Sequence, residues 1–217
     1  MKFLKKLFVF VGASICSVCT CFAFGYKDAD GNYKQNVIIL GDSQVGKTEV
    51  FKRILNEHLP VAEKIHGELE VILPENDHTI LTFWDTCGLY SAIGLDDFYS
   101  IISPVPANES SIVIVFDAGS KEGFDSVPKW LKWMNKYVFL YHRKKITVIG
   151  NKVDLAMKDG GTAENYYRSQ LAKLSCQYYG VDLSLFMTDA SCGLGIPEAT
   201  MHIATTAKEE IDNPPIV

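Results

Sequence analysis

The chain has 217 residues, 47% of them hydrophobic and 22% charged, with a formal net charge of −5. That is enough for one globular domain with a sizeable core. The acidic balance argues against a nucleic-acid binder, whose electrostatic footprint is a basic patch. The one short basic cluster, His142-Arg143-Lys144-Lys145, reads as a solvated loop between a helix and a strand.

Residues 1–24 stand apart in composition. A basic start, Met1-Lys2-Phe3-Leu4-Lys5-Lys6, precedes an uncharged run over residues 7–24, and Cys21-Phe22-Ala23 places small residues where a signal peptidase reads. The stretch is also just long enough to stay as a membrane span, which takes roughly 17–25 apolar residues. Residues 1–24 are therefore expected to be a signal peptide or a membrane anchor, residues 25–34 a polar linker, residues 35–212 the domain, and residues 213–217 a tail. The cysteines pull against export. Outside the leader only Cys87, Cys176 and Cys192 remain, an odd number at wide spacing that makes neither a disulfide framework nor a zinc site.

In chain order, residues 36–40 form a compact apolar run that predicts a buried strand. Residues 48–59 put Val50, Phe51, Ile54 and Leu55 on one helical face. Residues 69–73 and 79–84 predict a hairpin around Pro74-Glu75-Asn76-Asp77. Residues 111–116 are a second buried strand. Residues 129–141 carry Trp130, Trp133, Met134, Tyr137, Val138 and Tyr141 at helical spacing, as core packing. A strand over 145–149, a helix over 162–179 ending before Gly180, a strand over 183–187 and a helix opened by Pro197 complete the series. Strands alternating with helices predict an α/β fold with a six-stranded, mostly parallel sheet, one antiparallel edge strand and helices on both faces. Ligands of such sheets bind at the carboxyl ends of the strands.

Three motifs fall at those ends. Gly41-Asp42-Ser43-Gln44-Val45-Gly46-Lys47-Thr48 matches G-x-x-x-x-G-K-[ST] between a strand and a helix, the setting of a P-loop NTPase. Its backbone N–H groups wrap a phosphate, Lys47 reaches the outer phosphates, and the Thr48 hydroxyl is suited to Mg²⁺. Asp85-Thr86-Cys87-Gly88 ends the strand that finishes in Phe83-Trp84; Asp85 is placed to support Mg²⁺ and the Gly88 amide to meet a γ-phosphate. Asn151-Lys152-Val153-Asp154 follows the next strand. A carboxylate at Asp154 accepts from N1–H and the 2-amino group of guanine, and adenine would leave it unpaired. The Lys152 stem can lie across the base.

Together with the stretch V-F-D-A-G-S-K-E-G-F-D-S-V-P-K-W-L over residues 115–131, these motifs make residues 36–211 resemble a small GTPase of the Ras superfamily, nearest to Rab. The resemblance implies GTP/GDP and Mg²⁺ as ligands, effector or regulator proteins at the switch regions, and a monomer. It places Asp189, Ala190 and Ser191 in the last base-contacting loop, with the Ala190 amide near the guanine O6.

The chain departs from that pattern. Gln44 stands where the family has a small residue, and Leu89 where it has the glutamine that orients the attacking water. No threonine occurs between Leu59 and Leu73 to serve as the first-switch ligand, and an ungapped register puts Glu63 there. Residues 89–110 are longer than a typical second switch. The C-terminus carries no cysteine prenylation signal, so the leader is the expected route to a membrane. The expected function is a GTP/GDP switch with weak hydrolysis, in membrane trafficking or signalling. The alternatives are a pseudo-GTPase interaction module, or an exported scaffold. The location is accordingly a membrane with the domain facing a cytosol, or export.

Overall fold

A computed structural model describes residues 25–55, 66–74, 77–86, 110–120, 122–137, 145–156, 162–178 and 181–213. The leader, and the segments that hold Glu63, Gly88 and Leu89, lie outside the described residues.

The strand that leads into the phosphate loop is longer than its apolar run. Tyr33–Leu40 (β2) alternates buried and half-buried residues from Tyr33 to Val37, then is buried on both faces to Leu40. Its first half is thus an amphipathic strand and its second half a central one. Preceding it, Tyr26–Lys27 (β1) pairs antiparallel with β2 through Tyr26 opposite Lys34 and Lys27 opposite Tyr33. The segment expected as a linker is therefore a hairpin, and among the described residues the sheet has seven strands rather than six. Its tight turn is made by Asp28, whose carboxylate accepts from the Asp30 and Asn32 amides at 3.0 and 2.9 Å, a local closure typical of Asp in turns.

The remaining strands and α-helices of the described residues are Lys47–Ile54 (α1), His66–Ile72 (β3), His78–Asp85 (β4), Ser111–Asp117 (β5), Ser126–Tyr137 (α2), Lys145–Asn151 (β6), Val153–Ala156 (α3), Thr162–Gln177 (α4), Asp182–Met187 (β7) and Ile196–Asp212 (α5). The main path of the sheet is β3-β4-β2-β5-β6-β7. β2, β4, β5, β6 and β7 run parallel, and β3 is the antiparallel edge, paired to β4. The six-stranded path with one antiparallel edge is the expected architecture. α1 is shorter than its predicted 48–59 in the described residues, and α2 starts three residues earlier than its aromatic stripe, so that Pro128 falls in its first turn, where a missing N–H costs nothing.

Alternate residues of the sheet feed two cores. Ile38, Leu40, Ile112, Ile114 and Phe116 pack against Trp130, Leu131 and Met134 of α2 and Tyr167 and Leu171 of α4. Val37, Ile39, Val113, Val115 and Ile149 pack on the other face against Val50, Phe51 and Ile54 of α1 and Ala199, Ile203, Ala204 and Ala207 of α5. Each such side chain contributes roughly 1.5–3 kcal/mol of burial. This double burial fixes the sheet as a rigid platform whose carboxyl edge carries the loops.

Candidate functional site

The parallel strands end in polar residues at one edge of the sheet: Asp85 on β4, Asp117 on β5 and Asn151 on β6. Asp117 and Asn151 are register partners, and Ile39 sits opposite Asp85. Strand register alone therefore brings residues far apart in sequence into one row.

Residues 41–46 wrap from β2 to α1. Gly46 caps α1 in a left-handed conformation at φ 93°, and no side chain caps the helix. A Cβ on Gly46 would lie 2.3 Å from Asn151 Nδ2, so the position needs glycine for both its backbone angle and its closeness to β6. The open N-terminus presents amides and the positive end of the helix dipole to the loop's interior. Lys47 is 4% exposed and its Nζ donates to the carbonyl oxygens of Gly41 at 2.8 Å and Asp42 at 2.6 Å. The ammonium is thus held in the middle of the loop. Asp42 is half-buried, Ser43 and Gln44 are exposed, and Val45 is buried. Gln44 adopts φ 63°, a left-handed angle that costs a non-glycine residue about 1–2 kcal/mol.

Thr48 and Asp85 come together as the sequence suggested. The Thr48 hydroxyl donates to Asp85 Oδ2 at 2.6 Å, and Asp85 is 4% exposed. The neighbouring Thr86 hydroxyl donates to the Ile39 carbonyl at 2.8 Å, pinning the end of β4 to β2. A hydroxyl and a carboxylate are hard oxygen donors that suit Mg²⁺, which takes one or two protein ligands and draws the rest from phosphates and water. Among the described residues there is no group of three or more His, Cys, Asp or Glu that could hold a metal ion.

Asn151 is the hub of the site. Its Nδ2 donates to the Val45 carbonyl at 3.1 Å, and its Oδ1 accepts from the Ala190 amide at 3.0 Å and the Thr188 hydroxyl at 3.3 Å. One buried amide so ties the phosphate loop to the loop after β7. Lys152, at φ 63°, sends its Nζ to the Gln44 carbonyl at 2.8 Å and to Asp117 Oδ2 at 2.6 Å. The two non-glycine residues with positive φ among the described residues are therefore bonded to each other. Asp154 lies exposed in the first turn of α3.

The loop after β7 holds itself in shape. Asp189 Oδ1 accepts from the Ser191 amide at 2.9 Å and the Ser191 hydroxyl at 2.6 Å, and Cys192 Sγ approaches Oδ2 at 3.4 Å. The Ser191 hydroxyl, with the Ser191 amide and Cys192, holds the Asp189 carboxyl below its ordinary value against the opposing effect of burial. Ala190 is buried, and its amide is directed at Asn151.

Three contributors escaped the sequence reading. Arg53 of α1 donates through Nε to the Ala190 carbonyl at 2.9 Å and through Nη2 to the Ser191 carbonyl. Asp117 pairs with Lys152. Trp130 Nε1 donates to Asp42 Oδ1 at 3.0 Å, so a core tryptophan also braces the phosphate loop. A charged residue ending a buried strand was the available signal for Asp117. Arg53 sits one helical turn beyond the motif and carried no signal.

The Ras family model matches residues 36–208 of the chain. The chain belongs to the Ras family. Among curated relatives, the mouse "Ras-related protein Rab-12" is 30% identical over 127 residues, 57% of this chain and 49% of that protein. The "GTP-binding protein YPTM2" of Zea mays is 27% identical over 189 residues, covering 85% of each chain. The "Ras-related protein RabL" of Dictyostelium discoideum is 28% identical over 127 residues, 57% of this chain and 58% of that protein. The match to Rab-12 spans about half that protein's length. This Ras-family chain is thus Rab-like in sequence and has the mixed, mostly parallel sheet of that family, with the phosphate loop, Thr48–Asp85 and Asn151-Lys152 at one sheet edge.

Proposed function

We propose that this Ras-family chain is a small GTP-binding protein that cycles between GTP and GDP states, hydrolyses GTP slowly unaided, and acts through effector or regulator proteins in membrane trafficking or signalling. The observation that carries this is the convergence on Asn151: one side chain joins the phosphate loop at Val45 to the base loop at Ala190. Phosphate and base subsites built as one unit suit a nucleotide that spans both. Lys47 and the α1 amides would hold the phosphates, Asp154 the guanine edge, and the Lys152 stem the base plane. Thr48 and Asp85 would hold Mg²⁺, which neutralises phosphate charge when bound. The Ala190 amide, already donating to Asn151, would have to share its proton with a guanine O6.

Slow hydrolysis rests on Leu89, which has no group to position a water, and on the missing threonine between Leu59 and Leu73. The same two departures favour the second reading, a pseudo-GTPase that holds nucleotide without switching. We further propose that residues 1–24 anchor the protein in a membrane with the domain facing a cytosol, where GTP is available. The motif Cys21-Phe22-Ala23 favours export instead. The deciding experiment is nucleotide analysis of full-length protein purified in mild detergent, followed by single-turnover hydrolysis. Bound GDP or GTP with measurable turnover supports the switch. Bound nucleotide without turnover supports the static module, and protein that takes up no guanine nucleotide overturns the proposal.

A further inference from the structure

The segment between the leader and the domain is not a spacer. Gly25 lies against the wall of the fold: a Cβ there would sit 2.2 Å from Gln35 Oε1 and 2.7 Å from Ile211 Cγ1. From this point the β1 hairpin is clamped to the C-terminal end of α5. The Tyr33 hydroxyl bonds to the Asp212 carboxylate at 3.0 and 3.2 Å. Lys27 lies 3.5 Å from the same carboxylate and 4.2 Å above the Tyr33 ring. Lys208 of α5, its Nζ 5.8 Å from the same ring's centroid, pairs with Asp77 at 2.5 Å. The uncharged run of the leader reaches Phe24 and continues through Gly25 and Tyr26, so no charged residue separates it from this clamp.

We propose that the pole formed by the β1 hairpin and the C-terminal end of α5 is a membrane-facing surface, seated on the lipid headgroups by the leader with no flexible tether between them. This rests on the reading of residues 1–24 as an anchor. The occupant is a bilayer because the chain outside the pole is a long uncharged run that ends at its surface. The residues next to its end have the chemistry of a membrane interface: Tyr26, an aromatic ring 45% exposed, and Lys27, an exposed ammonium. β2 starts at this pole and ends at the phosphate loop. Its 8 residues span about 26 Å at ~3.3 Å each. The nucleotide face is thereby turned away from the bilayer, toward soluble partners.

The test uses the full chain reconstituted in phosphatidylcholine vesicles that contain a lipid with a photoreactive headgroup. Flotation reports anchoring, and mass spectrometry maps the cross-links. Adducts should concentrate in residues 26–34 and 205–213 and be scarce in 41–55 and 189–195. Inserting a Gly/Ser spacer of about 12 residues between Phe24 and Gly25, with a reach of roughly 20 Å, should preserve flotation and abolish that bias. Flotation with adducts spread equally over both poles overturns the oriented pole and leaves the anchor standing. Failure to float overturns the anchor, and the pole with it.

Discussion

Arg53 and Ala190, 137 residues apart, are joined by a hydrogen bond of 2.9 Å from the guanidinium Nε to the carbonyl oxygen. The same guanidinium reaches the Ser191 carbonyl. The helix that follows the phosphate loop thus grips the loop after β7 directly, in addition to the link through Asn151. Hydrogen bonds from a charged donor are worth about 1.5–3 kcal/mol. Arg53→Met should therefore speed guanine-nucleotide dissociation roughly tenfold, and Arg53→Lys should recover part of the loss. Stopped-flow displacement of a fluorescent GDP measures it. Unchanged dissociation in Arg53→Met would show that Asn151 alone positions the base loop.

Base selection should rest on Asp154. Asp154→Asn replaces an acceptor with a group that also carries donors, facing two donors on guanine. GTP affinity should fall at least tenfold while xanthosine nucleotides gain. Competition between the two nucleotides on the full chain decides the matter, and equal binding of ATP and GTP by the unaltered protein would remove Asp154 from this role.

Removing the Lys47 charge should empty the site. Lys47→Ala forfeits charge-assisted bonds to phosphate, about 1.5–3 kcal/mol or more, and also the internal bonds to the Gly41 and Asp42 carbonyls. The variant should purify without nucleotide while keeping its circular dichroism. Thr48→Ala should instead retain GDP weakly and lose the Mg²⁺ dependence of its release. Full nucleotide content in Lys47→Ala would contradict the assignment.

Hydrolysis should stay slow until both switch defects are repaired. Leu89→Gln restores a group able to hold water but leaves the first-switch ligand missing, so a partial rise in the single-turnover rate is expected. A rate in the unaltered chain equal to that of an ordinary Rab assayed alongside would mean that another residue orients the water.

Stability should weaken in mild acid through His202. Burial against Phe186 pushes the His202 imidazole below 6.5; Lys145 pushes the same way, and Asp182 and Glu209 oppose it. In the window below about 6.5 the unfolded chain then binds more protons than the folded one. Stability is full above that pH and falls as the solution is acidified through it. Urea midpoints for the wild type at pH 7.5 and 5.5 should differ by more than those of His202→Gln. Equal differences would assign the acid sensitivity to other groups.

The sequence by itself determined the class of fold and where its motifs fall along the chain. The glycines, Lys47 and Thr48 of the phosphate loop, Asp85, and Asn151-Lys152-Asp154 are each set by local spacing after an apolar strand. Strand–helix alternation then forces a mostly parallel sheet, because a parallel pair needs a crossover and a crossover helix covers one face. Only the tertiary structure decided what holds these motifs to one another. Asn151 was legible as part of a base motif but not as the bolt between Val45 and Ala190, since its partners come from loops 106 and 39 residues away. Arg53 and Trp130 look in sequence like a surface cation and a core aromatic; their hydrogen bonds to Ala190 and Asp42 exist only once α1 and α2 have packed on opposite faces of the sheet. Residues 25–34 read as a linker because they are polar and contain Gly31, and short-range composition is all a linker shows. Their fold depends on a β2 edge and on Tyr33 meeting Asp212, 179 residues on, contacts between distant segments that no local pattern encodes.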